Sequence, residues 1–186
     1  MVLNEAIVWL HAQRAEMERC LRALVEAPSY TRDKRDVDRV GAMLREHVPL
    51  ACEAAASEVF GAHLFFHGGR GPGERGVVLV GHLDTVFPRG SFEGYRVEGD
   101  LARGPGVLDM KGGLVVVAFA LQALARAGVK VPLSFAAVAD EEVGSPESAT
   151  RLREVARGAD CALVFESGRA GDAIITRRKG TGTVAV

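Results

Sequence analysis

The chain has 186 residues, of which 48% are hydrophobic, so it can bury a substantial core and fits one domain, or one domain with a fragment of another. Its 23 basic and 24 acidic side chains give a formal charge of −1. This balance excludes a strongly basic or acidic surface, so nothing electrostatic predicts binding to nucleic acid or to an anionic membrane.

The first part of the chain is predicted to form two helices and then two strands. Apolar residues at near-helical spacing indicate a first helix that ends before the sequence APSY (residues 27–30). Asp33 suits the N-cap of a second helix with its own apolar stripe. Residues 57–69 alternate loosely, as a strand does, and a glycine-rich turn then leads to the buried strand VVLVGHL (residues 77–83).

The rest of the chain alternates between strands and helices. A short hairpin is expected within residues 88–107, and a mostly apolar helix from Met110 to about Ala127 is stopped by Gly128. A strand, a helix, a strand and the start of another strand follow, at residues 131–140, 147–159, 161–166 and 172–180. This order predicts an α/β fold with a mostly parallel sheet and helices on both faces.

The cysteines and the apolar segments predict the cellular compartment of the protein. Cys20, Cys52 and Cys161 form neither a disulfide framework nor a CxxC metal pair, so we predict reduced thiols in a cytoplasmic protein. Cys161, in the apolar run CALVF, is expected to be a small core residue. The N-terminus is typical of an amphipathic helix rather than a signal peptide, and no uninterrupted apolar run approaches the roughly 20 residues of a membrane helix.

Potential metal ligands follow three of the predicted strands. In parallel sheets the reactive groups gather at the carboxyl ends of the strands, and one polar group alone would be weak evidence for a site. The polar residues in question are His82 and Asp84 after the first strand, Asp140, Glu141 and Glu142 after the second, Glu166 after the third, and Asp109 at the start of the long helix. Together they predict a cation-binding cleft.

Each of these motifs also has a simpler interpretation. His82 and Asp84 point the same way on an extended backbone, so Asp84 can orient a metal-binding imidazole, but a strand-end histidine can equally be satisfied by its neighbour. Asp109 can bridge two cations or cap the long helix. Lys111 is followed by glycine rather than serine or threonine, so a phosphate-binding loop is not supported.

The carboxylates after the second and third strands differ in how easily they are explained. Glu141 and Glu142 diverge because they are adjacent, which suits one metal ligand and one proton shuttle, or else an acidic surface turn. Glu166 follows a buried apolar run, where an unpaired carboxylate is costly unless it is coordinated or hydrogen-bonded.

Four segments taken together resemble a known family. They are GHLDTVF (residues 81–87), YRVEGDLARGPGVLDMKGG (residues 95–113), ADEEVGS (residues 139–145) and LVFES (residues 163–167). In this order they are similar to the co-catalytic zinc metallopeptidases, which include glutamate carboxypeptidase, acetylornithine deacetylase, succinyl-diaminopimelate desuccinylase and the aminoacylases. The sequence of residues 95–113 is most similar to the glutamate carboxypeptidase branch.

The resemblance implies two Zn²⁺ ions, for which Co²⁺ can substitute. By this likeness His82 and Glu166 bind one ion, Asp109 bridges both and Glu142 binds the second. It also implies that the peptide bond after the bridging aspartate is cis.

The same resemblance implies that Glu141 is the general base and that Asp84 orients His82. The expected reaction is hydrolysis of an amide bond in a small peptide or an N-acyl amino acid. A carboxypeptidase that releases a residue such as glutamate and an N-acyl-amino-acid deacylase both fit. A catalytically dead domain that serves as a binding or assembly module is the alternative.

The chain departs from the family pattern at its C-terminal side. The family needs one more histidine for the second ion and inserts a lid or dimerisation domain, whereas His11, His47, His63 and His67 read as surface or core residues. We therefore expect residues 1–176 to be the N-terminal part of a catalytic domain and residues 177–186 a strand toward an absent lid. The expected consequences are an incomplete second metal site, little activity alone, and a homodimeric parent protein.

Overall fold

A computed structural model describes residues 2–168 together with residues 171 and 173. Within these residues the chain forms a five-stranded sheet, a separate two-stranded hairpin and five helices. The helices are α1 (Val2–Ala12), α2 (Arg14–Glu26), α3 (Lys34–His47), α4 (Gly112–Arg126) and α5 (Ser148–Ala156). The strands are β1 (Ala51–Ala55), β2 (His63–Gly68), β3 (Val77–His82), β4 (Arg96–Glu98), β5 (Leu101–Arg103), β6 (Leu133–Val138) and β7 (Cys161–Val164).

The main sheet is mixed, with the strand order β1-β2-β6-β3-β7. β3 lies parallel to both β6 and β7, whereas β2 runs antiparallel to β6 and to β1. The α/β prediction is confirmed, and the parallel part holds the three strands whose ends carry the predicted ligands. The sequence did not predict β1, because its alanine-rich segment ACEAA lacks the β-branched and aromatic residues that mark strands.

Helices cover both faces of the sheet, as predicted. Leu79 and Phe135 face the larger core, which the apolar sides of α1 to α4 complete. Val78 and Ala136, one position along each strand, point to the opposite face and contact Val155 of α5. This alternation is the period-two pattern of a sheet that is buried on both sides. Full burial of side chains of this size stabilises the fold by about 1.5–3 kcal/mol each.

The helix boundaries agree with the sequence signals that predicted them. The first helical segment ends at Glu26, before APSY, although a turn at Gln13 divides it into α1 and α2. The carboxylate of Asp33 accepts a hydrogen bond from the backbone N–H of Asp36 and so caps α3. Gly128, with a φ of +66°, follows the end of α4. The predicted hairpin is formed by β4 and β5.

The long apolar helix belongs to the core. The segment Val107–Arg126 has the length and mean hydropathy of a membrane-spanning helix, but half of its most apolar window is buried inside the fold. Leu114, Val117 and Ala118 are fully buried in the larger core. A core helix of a globular fold has this same composition.

Two predictions concern the C-terminal side of the chain. The prediction that Cys161 is a core residue is wrong, because β7 borders only β3 among the described strands and all four of its residues are exposed. The run CALVF is apolar, but an edge strand covered on neither face exposes such residues. The predicted strand at residues 172–180 and the boundary at residues 176–177 lie outside the described residues, apart from residue 173.

Candidate metal centre

The predicted ligands meet at the carboxyl ends of the three parallel strands. His82 is the last residue of β3 and lies opposite Val138, the last residue of β6. Glu141 begins a short 3-10 turn three residues after β6 ends, and Glu166 lies two residues beyond β7. Parallel pairing of neighbouring strands therefore brings together side chains that are up to 84 positions apart along the chain (from residue 82 to residue 166).

The ring of His82 has a defined orientation. Its Nδ1 lies 3.0 Å from the backbone carbonyl oxygen of Asp84 and 3.3 Å from the carboxylate Oδ1 of the same residue. Both neighbours accept hydrogen bonds, so Nδ1 carries a proton and Nε2 is directed toward the cleft. The imidazole and Asp84 are each only 1% exposed. The pairing therefore presents Nε2 as the ligand atom, which is the arrangement that metal-binding histidines use.

Carboxylates surround Nε2 of His82 from several elements. Asp109 Oδ1 lies 3.0 Å away, Glu166 Oε1 3.3 Å and Glu141 Oε2 4.0 Å. In two sets of three residues the potential ligand atoms all lie within 4.8 Å of one another. One set is His82, Glu141 and Glu166, and the other is His82, Asp109 and Glu142. All five residues are sequence-predicted site residues, and the fold brings all of them together.

Asp109 reaches the cleft from an irregular turn, Val107–Lys111, that precedes α4. Its φ of −122° and ψ of 95° are not helical, and its peptide bond to Met110 is cis, as the resemblance implied. No side chain caps α4, so the alternative in which Asp109 is an N-cap is wrong. Its side chain is 57% exposed and faces His82. This geometry leaves carboxylate oxygen available for a cation.

Asp84 contacts more than the imidazole. Its carboxylate accepts hydrogen bonds from the backbone N–H groups of Glu141 (3.3 Å) and Glu142 (3.2 Å), and from the hydroxyl of Thr31 (2.8 Å). A single buried carboxylate therefore fixes His82 and the turn that carries two further acidic residues. No sequence signal marks Thr31, because the residue precedes Asp84 by 53 positions and lies in no recognisable motif.

The electrostatics of the cleft follow from its excess of negative charge. Burial alone lowers the pKa of His82, but the hydrogen bond and charge of Asp84 and the charges of Glu166 and Glu141 outweigh burial and raise it to about 9. For Asp84 burial is again the largest effect, and the hydrogen bond and charge of His82 exceed it, so the pKa of Asp84 is lowered.

Two other carboxylates have raised pKa values, in contrast to Asp84. Burial, followed by repulsion from Asp109, raises the pKa of Glu142 to about 7. The pKa of Glu166 is also raised, because burial and the neighbouring carboxylates outweigh the attraction of His82. Like charges crowded around one imidazole are thus only partly compensated by protein groups. A divalent cation would compensate them.

The donor set fits a divalent metal. Imidazole nitrogen and carboxylate oxygen are ligands that Zn²⁺ accepts, and carboxylate-rich sites with pairs of ions are known among hydrolases. The cleft beside Asp109 and Glu142 is also bordered by Phe87 and Leu108 and has a volume of about 240 Å³. A larger apolar cavity of about 480 Å³ lies at the other end of the sheet, next to Leu133, away from these charged groups.

The other histidines lie outside the cleft. His63 is buried in β2, where its Nδ1 accepts a hydrogen bond from the backbone N–H of Ala139, so it is a core residue as predicted. His11 and His67 are exposed on α1 and β2, and His47 is half-buried at the end of α3. Within the described part of the chain, His82 is the histidine that both sets of ligand atoms share.

Comparison with known proteins identifies relatives of this chain. The sequence profile of peptidase family M20/M25/M40 matches residues 78–177. Carboxypeptidase G2 of Pseudomonas sp. (strain RS-16) is 39% identical over 107 residues, which are 55% of this chain and 26% of that protein. Residues 78–177, which the family profile matches, include the segments that carry the predicted ligands.

Solved structures share the fold at low identity. Human carnosine dipeptidase 1 superposes with a TM-score of 0.74 and 17% identity, covering 88% of this chain and 41% of that one. The dipeptidase Dug1p of Saccharomyces cerevisiae gives 0.68 and 14%, covering 87% and 40%. The M20 family metallo-carboxypeptidase Sso-CP2 of Sulfolobus solfataricus gives 0.64 and 16%, covering 82% and 38%. The chain thus spans about 40% of the length of these structures.

Proposed function

We propose that this chain, which belongs to peptidase family M20/M25/M40 as its motifs predicted, carries the metal-binding and proton-transfer groups of an amide-bond hydrolase. The observation that carries the proposal is the convergence of acidic side chains on Nε2 of His82 from three separate segments. A buried imidazole faced by so many carboxylates has no structural advantage without a cation, because the carboxylates repel one another.

The proposed substrate is a small peptide or an N-acyl amino acid. Sequence similarity to carboxypeptidase G2, which reaches 39% identity, favours release of a C-terminal amino acid such as glutamate. Deacylation of an N-acyl amino acid involves the same amide chemistry and is the second possibility within this class. The cleft beside Phe87 and Leu108 offers apolar contacts next to the charged groups, which suits a substrate with both characters.

The proposed ligands are divided between two ions. His82, Asp109 and Glu166 would hold one divalent cation, and Asp109 and Glu142 would hold the second, with zinc as the expected metal and cobalt as a substitute. When bound, the cations would supply Lewis-acid polarisation of the amide carbonyl and stabilise the charge that develops on its oxygen. Asp84 would keep the proton on Nδ1 of His82, so that Nε2 remains a ligand.

Glu141 is proposed as the general base. Its side chain is 48% exposed, its Oε2 lies 4.0 Å from Nε2 of His82, and its backbone N–H is held by Asp84. From this position the carboxylate can take a proton from an attacking water and return it to the leaving amine. Because Glu141 also belongs to one of the two sets of ligand atoms, a role as a metal ligand is the competing assignment.

Metal content separates these assignments. We would purify the 186-residue chain, measure bound zinc and cobalt after equilibrium dialysis, and assay a panel of N-acyl amino acids and peptides that end in glutamate. Glu141→Gln should bind as much metal as the unsubstituted 186-residue chain (the parent chain in these comparisons), whereas Glu166→Ala should lose the metal. Loss of metal in Glu141→Gln would make Glu141 a ligand instead.

The same measurements test the function itself. If the parent chain binds no divalent metal under these conditions, the proposed site is refuted. If metal binds but neither this chain nor a longer form that contains it hydrolyses any amide of the panel, a binding or assembly module becomes the better description. Hydrolysis that disappears in Glu141→Gln while metal is retained would support the proposal.

A further inference from the structure

We propose that the loop of residues 27–31, between α2 and α3, holds the two segments that carry the metal ligands at a fixed separation. Lys111 and Thr31 are the positioning residues that act through it. The loop touches the Asp109 segment on one side and Asp84 on the other. This inference rests on the proposed metal site, and it names residues outside the ligand set that determine its geometry.

Lys111 connects the Asp109 segment to the end of α2. Its side chain is 1% exposed, and its Nζ donates to the backbone carbonyls of Leu24 (2.9 Å) and Ala27 (2.8 Å). In a continuing helix the Leu24 carbonyl would accept from the N–H of residue 28, but residue 28 is a proline and has none. The amino group therefore satisfies a carbonyl that the sequence leaves without a helical donor.

The direction of the Lys111 side chain makes it a positioning residue. Lys111 is two residues beyond Asp109, its own N–H donates to the carbonyl of Gly106 at 2.8 Å, and its side chain extends away from the cleft into the protein. The turn Val107–Lys111 is thus fixed at its backbone and through a buried amino group. Loss of that group would remove this connection between the turn and α2, although every ligand side chain would still be present.

The other side of the loop holds Asp84. The carbonyl of Ser29 accepts from the N–H of Thr85 (2.8 Å), and the N–H of Thr31 donates to the carbonyl of Thr85 (3.1 Å). The hydroxyl of Thr31 donates to Asp84 Oδ2 at 2.8 Å, in a region where both residues are buried. Asp84 in turn contacts the ring of His82, so the loop reaches the imidazole through one intermediate side chain.

A loop that links two ligand segments makes a specific energetic prediction. Substitutions that act on different segments independently have additive effects, whereas substitutions that release the same loop do not. Lys111 and Thr31 make no hydrogen bond to each other, so coupling between them passes either through residues 27–31 or through the contact of Met110 with His82. Non-additivity therefore shows that the two residues act on one unit, and exchange of the Thr85 amide, which donates to Ser29 in the loop, shows whether the loop is the route.

The first experiment measures cobalt affinity in a double-mutant cycle. We would prepare Lys111→Met, Thr31→Val and the double variant, and titrate each with Co²⁺ against a chelator while recording the visible spectrum. Each single substitution should weaken Co²⁺ binding by about tenfold, as outer contacts of metal ligands typically do, and should shift the absorption bands. The double variant should lose distinctly less than the product of the two. Lys130→Met and Thr150→Val, which alter exposed side chains, are matched controls and should leave affinity unchanged.

The second experiment needs no metal. Amide hydrogen exchange of Thr85 should be at least tenfold faster in Lys111→Met than in the parent chain, relative to Val117 in the core of α4. Thr31→Val should speed exchange of the Glu142 amide, which donates to Asp84. If Lys111→Met does not fold, Thr31→Val still decides through this amide.

Additive affinities, or unchanged exchange at Thr85 and Glu142, would overturn the proposal. Absence of Co²⁺ binding in the parent chain with altered exchange in the variants would refute the metal site and leave the loop linkage supported.

Discussion

The backbone N–H of His82 lies 3.1 Å from the thioether sulfur of Met110, which joins the end of β3 to the turn that carries Asp109. Met110 is fully buried, and its Cε would contact a Cβ added at Gly81 at 2.8 Å. Gly81, which precedes His82, is therefore needed for this close approach. Met110, which follows Asp109, positions that turn against the strand.

Replacement of Met110 tests this contact. Met110→Leu keeps the volume but removes the sulfur that accepts from the His82 N–H, so a buried donor loses its partner. We expect the free energy of unfolding to fall by about 1–3 kcal/mol. Urea denaturation monitored by circular dichroism measures it. Met43→Leu, at a half-buried position that packs on the same core, is the control and should cost less than about 1.5 kcal/mol. Equal losses in the two variants would show that the sulfur contributes nothing specific.

Gly113 is the second close approach in the site. A Cβ at this position would lie 2.1 Å from the backbone carbonyl oxygen of Phe165, the residue before Glu166. Helix propensity alone predicts that Gly→Ala stabilises α4 by about 1 kcal/mol. We expect the opposite sign, because a backbone atom cannot rotate away as a side chain can. The chain after β7 must shift and take Glu166 with it.

Metal affinity and thermal unfolding report on Gly113→Ala together. The melting temperature should fall, and cobalt affinity should fall by at least tenfold if Glu166 is a ligand. Gly71→Ala, whose new Cβ would meet only the Glu74 side chain at an ordinary 3.4 Å, is the control and should change neither. A stabilised Gly113→Ala with unchanged affinity would show that Phe165 and Glu166 can move without consequence.

The fold and much of the site could be predicted from sequence because their signals are local. Strand-ending His82 and Glu166, and the glutamate pair after β6, are visible as polar residues that interrupt apolar runs, and the structure brings them together. Strand β1 was missed because its alanines pack at an edge, where composition carries little information. Cys161 was misplaced because apolar sequence alone cannot distinguish an edge strand from a central one.

The connections behind the ligands could not be predicted, for a physical reason. Thr31 and Asp84 are 53 positions apart, and Lys111 and Leu24 are 87 positions apart. Neither pair has a period or spacing that marks a contact, since each depends on how the α2–α3 loop packs against β3 and the Asp109 turn. Long-range hydrogen bonds of buried polar groups are visible only once the fold is known, although a lysine beside a predicted ligand is a reason to look.

Metal binding should release protons in a pH-dependent way. At pH 7 the imidazole of His82, with a pKa of about 9, is protonated, and Glu142, with a pKa of about 7, is about half protonated. A cation needs the unprotonated Nε2 and the carboxylate, so binding at pH 7 should release between one and two protons. Apparent affinity should rise as the pH increases and level off above about 9.

Calorimetric titration of the metal-free chain with Zn²⁺ checks the proton release. The apparent binding enthalpy should change between two buffers that have different enthalpies of ionisation, and the slope gives the number of protons released. His67→Gln, which removes an exposed histidine on β2, should leave the slope unchanged. A slope near zero at pH 7 would mean that neither His82 nor Glu142 holds a proton in the folded chain.

Asp84→Asn gives the clearest pH test of the site in metal-free protein. The amide removes a negative charge from beside Nδ1 of His82 and places an N–H₂ group where the carboxylate accepts three hydrogen bonds. The pKa of His82 should fall from about 9 toward or below its ordinary 6.5. Proton NMR of the imidazole C2–H follows this directly, and Asp100→Asn, at an exposed position, should not change it.

The stability difference between the parent chain and Asp84→Asn has a defined sign. A histidine with a raised pKa in the folded state contributes stability that is complete below the unfolded pKa of 6.5 and is lost as the pH rises through 9. Asp84, with a lowered pKa, contributes above its ordinary 3.8 and loses the contribution as the pH falls below that value. The parent chain should therefore exceed Asp84→Asn most between about pH 4 and 6.5, and the difference should narrow toward pH 9. Urea denaturation across this range measures it, and a difference that grows with pH would show that His82 and Asp84 do not form the pair described.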